Sequence, residues 1–376
     1  MICLNMIVKN ESEVIEATLA NLCEHIPFSY WVISDTGSTD STKEIIKDFF
    51  SKKGIPGELV EHEWRDFAYN RTKALECAYQ KTDYVFIFDA DDRIHGKLVL
   101  PKLTADRYMF RFGKEFAYDR ALLITNRKPW VYQGVIHEFL DCKEPRSTVH
   151  IQGDYLVESG RTGYRSKNPN KYADDAIILK KAFEEDTPLK TRYAFYCGQS
   201  YMDSGQIDLA IEWYQKCISL NGWDQERYYS CIQLGQMFHT KKDYMQMQFY
   251  WSKSCQYDPE RIEAIVMLMG FYQQSNQHVL VNAMYHKWKD YSHKLQGKLF
   301  IRNFLYEYEL EYLNAVSAYY ARDLETGYFC ARKVIFNHKD PKKVEVMKRN
   351  LVFYQTYLQK DKKMQEYLKA NPQTAT

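Results

Sequence analysis

Asp89-Ala90-Asp91-Asp92 stands directly behind an apolar run, Tyr84-Val85-Phe86-Ile87-Phe88. If that run is a strand, the carboxylates lie at the carboxyl edge of a sheet, where open α/β folds bind their ligands. A solvated turn capping the next helix accounts for one acidic residue. Three such neighbours repel one another, and a divalent cation that prefers oxygen, Mg²⁺ or Mn²⁺, is the usual compensation. That cation would in turn take up a nucleotide pyrophosphate. A second polar loop, Asp35-Thr36-Gly37-Ser38-Thr39-Asp40, ends the run Tyr30-Trp31-Val32-Ile33-Ser34 in the same manner. It also reads as a helix cap opened by Ser38 or Thr39, and the two readings are compatible. In a parallel sheet Asp35 and Asp89 share one edge, so one could accept a hydrogen bond from a nucleobase imide while the other serves the metal. Val8-Lys9-Asn10-Glu11, behind the apolar run that starts the chain, completes that edge.

The elements that must position these residues alternate through about residue 165. Strands are expected at Met1 to Val8, Tyr30 to Ser34, Leu59 to Trp64 and Tyr84 to Phe88. Helices are expected around Val14 to Leu22, Ile45 to Phe49 and Asn70 to Gln80, with later strands or hairpins at Tyr108 to Arg111, Leu122 to Thr125 and Trp130 to Gly134. Strand, polar loop, helix is the pattern of a βαβ sheet. From about Ser166 strand signals nearly vanish and helical patterns take over, so 1–165 is expected to be an α/β domain and 166–376 an all-α one. A repeat runs through the second part: Gly198-x-x-Tyr201 recurs 37 residues on as Gly235-x-x-Phe238, Tyr214 recurs as Trp251, and a looser copy starts at Gly270. Stripes at Tyr193, Tyr196, Cys197 and Tyr201, then at Ile207, Ala210, Ile211, Tyr214 and Cys217, describe paired amphipathic helices that resemble tetratricopeptide repeats.

Composition narrows the classes. The chain has 376 residues, 45% of them hydrophobic and 27% charged, enough for two domains with real cores. No uncharged apolar run approaches the roughly 18 residues of a membrane span. With 51 basic against 49 acidic residues the formal charge is +2, which recommends no nucleic-acid partner. Nine cysteines, an odd number without a Cys-x-x-Cys pair, read as reduced packed thiols; with no signal-like segment at Met1 to Val8, a cytoplasmic setting is expected. Aromatic residues reach 15%, and such rings serve helix packing and sugar stacking equally well.

Four segments in order, Cys3 to Glu11, Val32 to Asp40, Asp66-Phe67-Ala68-Tyr69-Asn70-Arg71 and Phe86 to Asp92, resemble the signature of family 2 glycosyltransferases of the GT-A fold. The likeness covers roughly residues 1–165, and the repeat matches a subgroup that joins this domain to tetratricopeptide-like helices. The resemblance implies a metal-dependent, inverting glycosyltransferase that uses Mn²⁺ or Mg²⁺ and a nucleotide sugar, a UDP-sugar by first expectation. The acceptor would be a glycan or protein held partly by the helical domain, whose repeats could also serve a protein partner or self-association. It implies that Asp35 faces the base, Asp89 the ribose and metal, and that Asp91 coordinates the metal. Val8, Asn10, Glu11 and Ala90 would line the donor, and Asn70 and Arg71 would lie near the diphosphate, although a charged helix face explains those two as well.

Inversion needs a carboxylate to take the acceptor's proton. Trp130 to Glu138 looks like the subgroup's Gly-x-Val-His-Glu segment with Ile136 in place of Val, which makes Glu138 the expected base and His137 a candidate for metal or phosphate. No Glu-Asp pair stands there, so Asp141 and Glu115 stay open as bases. Arg161 and Arg165, in a Gly-rich loop that also reads as a linker, could hold diphosphate. Trp64 and Trp130 could stack on a sugar, though burial is the commoner fate of Trp. Two other readings remain: a tetratricopeptide-type scaffold with a degenerate sheet domain, which Asp35, Asp89, Asp91 and Glu138 disfavour, and a sugar nucleotidyltransferase, which would need a Gly-rich, Lys-bearing phosphate loop where Lys9-Asn10-Glu11 stands.

Overall fold

The computed structural model of the chain describes residues 1–113, 116–144, 146–160, 168–185, 187–291, 295 and 297–371. It divides into two units, Met1–Trp223 with Gln296–Leu299, and Asp224–Leu295 with Phe300–Thr376. The division expected after residue 165 falls on 161–167, outside the described residues.

In the first unit, β1 (Ile2–Val8), α1 (Ile15–His25), β2 (Tyr30–Asp35), α2 (Thr42–Lys53), β3 (Gly57–Glu61), α3 (Phe67–Ala78) and β4 (Tyr84–Ile87) alternate as expected. The short strand β5 (Arg93–Gly96) follows. The chain then turns to β6 (Arg107–Phe112), β7 (Phe116–Thr125), the hairpin β8 (Val131–Gln133) and β9 (Phe139–Asp141), β10 (Thr148–His150) and β11 (Tyr155–Glu158). The main sheet has the order β3-β2-β1-β4-β7-β6-β11-β5, with β10 also on β6. Its first four strands are parallel, while β7 runs antiparallel to β4 and to β6. β1, β2 and β4 are buried on both faces: Leu4, Met6, Ile33 and Phe86 join Leu19, Ile46 and Phe50 of α1 and α2 in one core, and Cys3, Val32 and Val85 join Leu75 and Ala78 of α3 in another. Connections leave β1 toward β2 but return from β3 to β4, so the strand order reverses between β1 and β4. That reversal is the crevice where α/β sheets take ligands.

Two boundaries depart from expectation for visible reasons. The third strand starts at Gly57 instead of Leu59 because Trp31 draws that segment in, its N–H donating to the Pro56 carbonyl and its indole Nε1 to that of Ile55. A Cβ on Gly57 would fall 2.3 Å from the Trp31 ring, so only glycine fits there. The second helix starts at Thr42, not at Ser38 or Thr39: Asp40, just before the cap residue Ser41, accepts the Thr42 N–H at 3.1 Å, and Ser38 Oγ instead accepts the Asn10 N–H at 2.9 Å.

Three helices close the first unit, α4 (Lys171–Glu184), α5 (Lys190–Asp203) and α6 (Ile207–Ser219). Tyr193, Tyr196, Cys197, Ala210, Tyr214 and Cys217 are buried along the expected stripes, while Ile207 is exposed. The second unit is almost wholly helical. It begins with α7 (Asp224–Thr240), α8 (Tyr244–Ser254), α9 (Glu263–Gln274) and α10 (His278–Trp288), and continues through α11 (Glu309–Tyr320), α12 (Leu324–Asn337), α13 (Pro341–Asn350), α14 (Gln355–Leu358) and α15 (Lys362–Ala370).

The 37-residue repeat has a packing cause. A Cβ on Gly198 would lie 2.9 Å from the Tyr214 ring, and one on Gly235 2.2 Å from the Trp251 ring, so each glycine lets the aromatic of the next helix press onto its own. Gly270 has no such neighbour, which is why its copy looks loose. None of the nine cysteines is in a disulfide, and no helix among the described residues is long and apolar enough to cross a membrane.

Candidate active site

Two loops meet at the carboxyl ends of β1 and β2. The Thr36 N–H and hydroxyl both donate to the Val8 carbonyl, at 2.9 and 3.0 Å. Asn10, in the left-handed region at φ 54°, accepts the Thr39 N–H at 2.8 Å, and the Glu11 N–H reaches Thr42 Oγ1 at 2.8 Å. Asp40 ties both loops by accepting from Thr42 and from the Ser12 N–H. Burial alone would raise its carboxyl, but these hydrogen bonds outweigh burial and bring it down to about 2. Asp35 is fully buried at the centre of this weave. Its Oδ1 accepts the N–H groups of Gly37 and Ser38 at 2.9 and 2.8 Å, while its buried Oδ2 has no hydrogen-bond partner among the described residues. An orphaned buried acceptor is costly and calls for a donor from outside the described residues, a water or a ligand group.

One strand further, at the end of β4, lies a chain of alternating charges. Arg71, on α3 and 7% exposed, donates through Nε to Glu138 Oε1 at 2.6 Å and through Nη2 to Asp89 Oδ1 at 2.5 Å. Its guanidinium carbon stands 5.6 Å from the Tyr132 ring centre. Arg120, on β7, donates through both Nη atoms to Asp89 Oδ2 at 3.1 Å and pairs with Asp92 Oδ2 at 3.5 Å. Nothing in its local sequence singles out Arg120; its place depends on the antiparallel pairing of β7 with β4.

The electrostatics follow from this order. Burial would raise the Asp89 carboxyl, but Arg71 and then Arg120 hold it well below the usual carboxylate range. Burial likewise works against both guanidinium charges, and the facing carboxylates push both arginines higher still. Asp92 goes the other way: burial, then repulsion by Asp89, pushes it up to about 7 against the pull of Arg120. Its Oδ1 accepts the Gly160 N–H at 2.9 Å, and a Cβ on Gly160 would lie 2.0 Å from the Asp91 carbonyl oxygen, so this contact admits only glycine.

The remaining candidates sort around these clusters. Asn70 is fully buried next to Arg71, but its amide is engaged by the loop before α3, accepting the Arg65 N–H at 2.9 Å and donating to the Glu63 carbonyl at 3.0 Å. The Ala90 carbonyl accepts the Thr18 hydroxyl at 2.7 Å. His137 turns its ring onto Tyr196 of α5, 4.0 Å away and nearly parallel. Asp141, the other described candidate base, accepts from Gln133 and pairs with Arg146. Trp130 is buried with its indole bound to the Thr125 carbonyl, whereas Trp64 is 40% exposed. Arg161, Arg165 and Glu115 lie outside the described residues.

The expected metal ligands Asp89, Asp91 and His137 are therefore not gathered. Among the described residues no group of three or more His, Cys, Asp or Glu is placed to hold an ion. Both oxygens of Asp89 are occupied by arginines, and the His137 ring is stacked against a helix.

Residues 3–106 match the model of glycosyl transferase family 2, and 198–222 match a tetratricopeptide repeat. The amino-terminal part is a family 2 glycosyltransferase domain. The matched stretch of this glycosyltransferase domain contains Asp35, Arg71, Asp89 and Asp91, while Arg120, on β7, and Glu138, between β8 and β9, lie beyond it. The tetratricopeptide match covers the end of α5 and all of α6. No curated protein matches the chain. Among solved structures, S. aureus TarS 1–349 in complex with UDP-GlcNAc is similar at 11% identity and a TM-score of 0.35, over 68% of this chain and 90% of that one. The mannosyltransferase PcManGT from Pyrobaculum calidifontis, in complex with GDP-Man and Mn²⁺, is similar at 15% identity and a TM-score of 0.35, over 68% and 85%. Overlaps this loose transfer no residue's role.

Proposed function

We propose that the glycosyltransferase domain is a metal-dependent, inverting transferase that moves a sugar from a UDP-sugar to a glycan or protein acceptor, with a helical domain from residue 166 contributing to acceptor binding. One observation carries this: an unpartnered buried carboxylate oxygen at the end of β2 and an arginine-linked carboxylate chain at the end of β4 lie on the same sheet edge. Two strand spacings separate them, roughly 10 Å. Asp35 Oδ2 suits the imide N–H of a uracil. Arg71 and Arg120, already side by side, suit the diphosphate that the base would bring over them.

Asp91 is the residue that would hold Mn²⁺ or Mg²⁺. Such an ion, when bound with the donor, neutralises charge on the departing diphosphate. Glu138 is the proposed base. Its Oε1 is fixed by Arg71, and Oε2 has no hydrogen bond among the described residues, so an acceptor hydroxyl could give its proton there.

A thermal-shift screen of nucleotide sugars with and without Mn²⁺ tests the donor. A UDP-sugar at 100 times its Kd adds about 2.7 kcal/mol of stability, a rise that Asp91→Asn should abolish and Glu138→Gln should keep. Glu138→Gln should lose turnover by about 10²–10⁴-fold at unchanged donor affinity. A metal response surviving in Asp91→Asn, or full turnover in Glu138→Gln, would overturn the corresponding assignment.

A further inference from the structure

The segment that carries Glu138 is gripped from α5, the first helix of the repeat pair. Arg192 and Tyr196 stand four residues apart and so share one face of that helix. Arg192 donates to the His137 carbonyl twice, from Nη2 at 2.7 Å and from Nε at 3.1 Å. Its guanidinium carbon lies 5.1 Å from the Phe139 ring centre and 4.8 Å from that of Tyr196. The Tyr196 ring stacks on His137 with 6° between the planes, and the Tyr193 hydroxyl accepts the Val135 N–H at 3.4 Å. Residues 135, 137 and 139, on both sides of Glu138, are thus all touched by this one helix.

His137 shows what the grip achieves. Its φ is 53°, in the left-handed region that costs a residue with a side chain roughly 1 kcal/mol or more and persists only where the surroundings over-determine it. Released from Arg192 and Tyr196, the backbone at His137 would favour the extended or right-handed region. That rotation would swing the next residue, Glu138, away from Arg71.

We propose that Arg192 and Tyr196 are positioning residues for Glu138, so that a helix of the repeat region sets the geometry of the transfer reaction. The proposal rests on the reading of Glu138 as base. A misplacement of about 1 Å at a reacting group can cost on the order of 10²-fold.

The test is a double-mutant cycle in the full chain, read by UDP release from the UDP-sugar that stabilises the wild type, together with hydrogen exchange of segment 131–141. Arg192→Met should lower kcat ten- to hundredfold with the donor KM within twofold, and should change kcat less than twofold in the Glu138→Gln background. Arg192→Lys keeps the charge but not the paired N–H groups, and should fall between Met and wild type. Exchange of 131–141 should rise at least tenfold in Arg192→Met while β1 to β4 stay protected. An equal kcat loss in both backgrounds, or unchanged exchange, would overturn the clamp while leaving the base assignment standing. Wild-type turnover in Glu138→Gln would overturn the base assignment and the proposal with it. If no UDP-sugar turns over, unchanged exchange alone overturns the clamp.

Discussion

Replacing Arg71 by Met tests the charge chain most directly. Met keeps most of the apolar stem and removes only the guanidinium, so any cavity is small. Two carboxylates then lose a partner: Glu138, whose side chain is 11% exposed and has no other cation within reach among the described residues, and Asp89, which keeps Arg120. Breaking a buried ion pair by removing one partner costs about 3–5 kcal/mol, because the charge left behind stays desolvated. The cost should depend on pH in a defined direction. The folded-state carboxyl of Asp89 is depressed by its arginines, so its stabilisation is complete above the unfolded value of about 3.9 and is lost as pH falls toward the folded value. By pH 3 up to about 1 kcal/mol of the wild-type advantage should be gone. The assay is hydrogen exchange of the peptide over residues 84–92, which reads opening of this sheet without requiring both units to unfold together. At pH 7 the variant should lose roughly two to four powers of ten in protection, the deficit should narrow at pH 3, and adding Glu138→Gln should recover about 1–3 kcal/mol by removing the stranded charge. Protection within threefold of wild type at pH 7 would refute the view that one guanidinium compensates both carboxylates.

Two further expectations follow from groups at the margins of the site and of the repeat. Because the Asp92 carboxyl is raised to about 7, the folded state holds its proton longer than the unfolded chain does, so stability should fall as pH rises from about 4 to about 7 and level off above; Asp92→Asn should flatten that slope in a Tm-against-pH series, and an unchanged slope would assign it to another group. Gly235→Ala places a Cβ 2.2 Å from the Trp251 ring and should cost about 1–3 kcal/mol by overpacking, seen as faster exchange confined to α7 and α8; normal protection of both helices would mean that the ring can move aside.

Much of the placement of the candidate residues is legible because they lie within or next to their own strand-to-loop junction. Asp35 follows a β-branched run and precedes a glycine, so its place at a sheet edge is written locally, and the structure adds only that one of its oxygens is left over. The same holds for Asp89 and for Arg71 at the start of α3. The repeat was legible because Gly198 and Gly235 each face an aromatic ring 16 residues on, which fixes a sequence period through a steric contact. The helix start at Thr42 is not legible locally because Ser, Thr and Asp all suit helix starts, and only the neighbouring loop decides: Ser38 is taken by Asn10, and the Thr42 N–H goes to Asp40.

The residues that could not be read are those whose role comes from pairing between distant segments. Arg120 sits on a strand that looks from its sequence like any other, and it matters only because β7 runs antiparallel to β4 and so brings that side chain back toward the loop that ends β4. Its arrival also changes what the acidic motif means. A cluster of carboxylates without cations asks for a metal ion, and that was the natural reading of Asp89-Ala90-Asp91-Asp92. With two guanidiniums on Asp89 much of that demand is already met by the protein itself. The same logic applies to His137. Its type and spacing suggest a ligand, but its ring is stacked on Tyr196 and its carbonyl is held by Arg192. In both cases a residue whose type alone suggests metal chemistry is engaged by a partner from elsewhere in the chain.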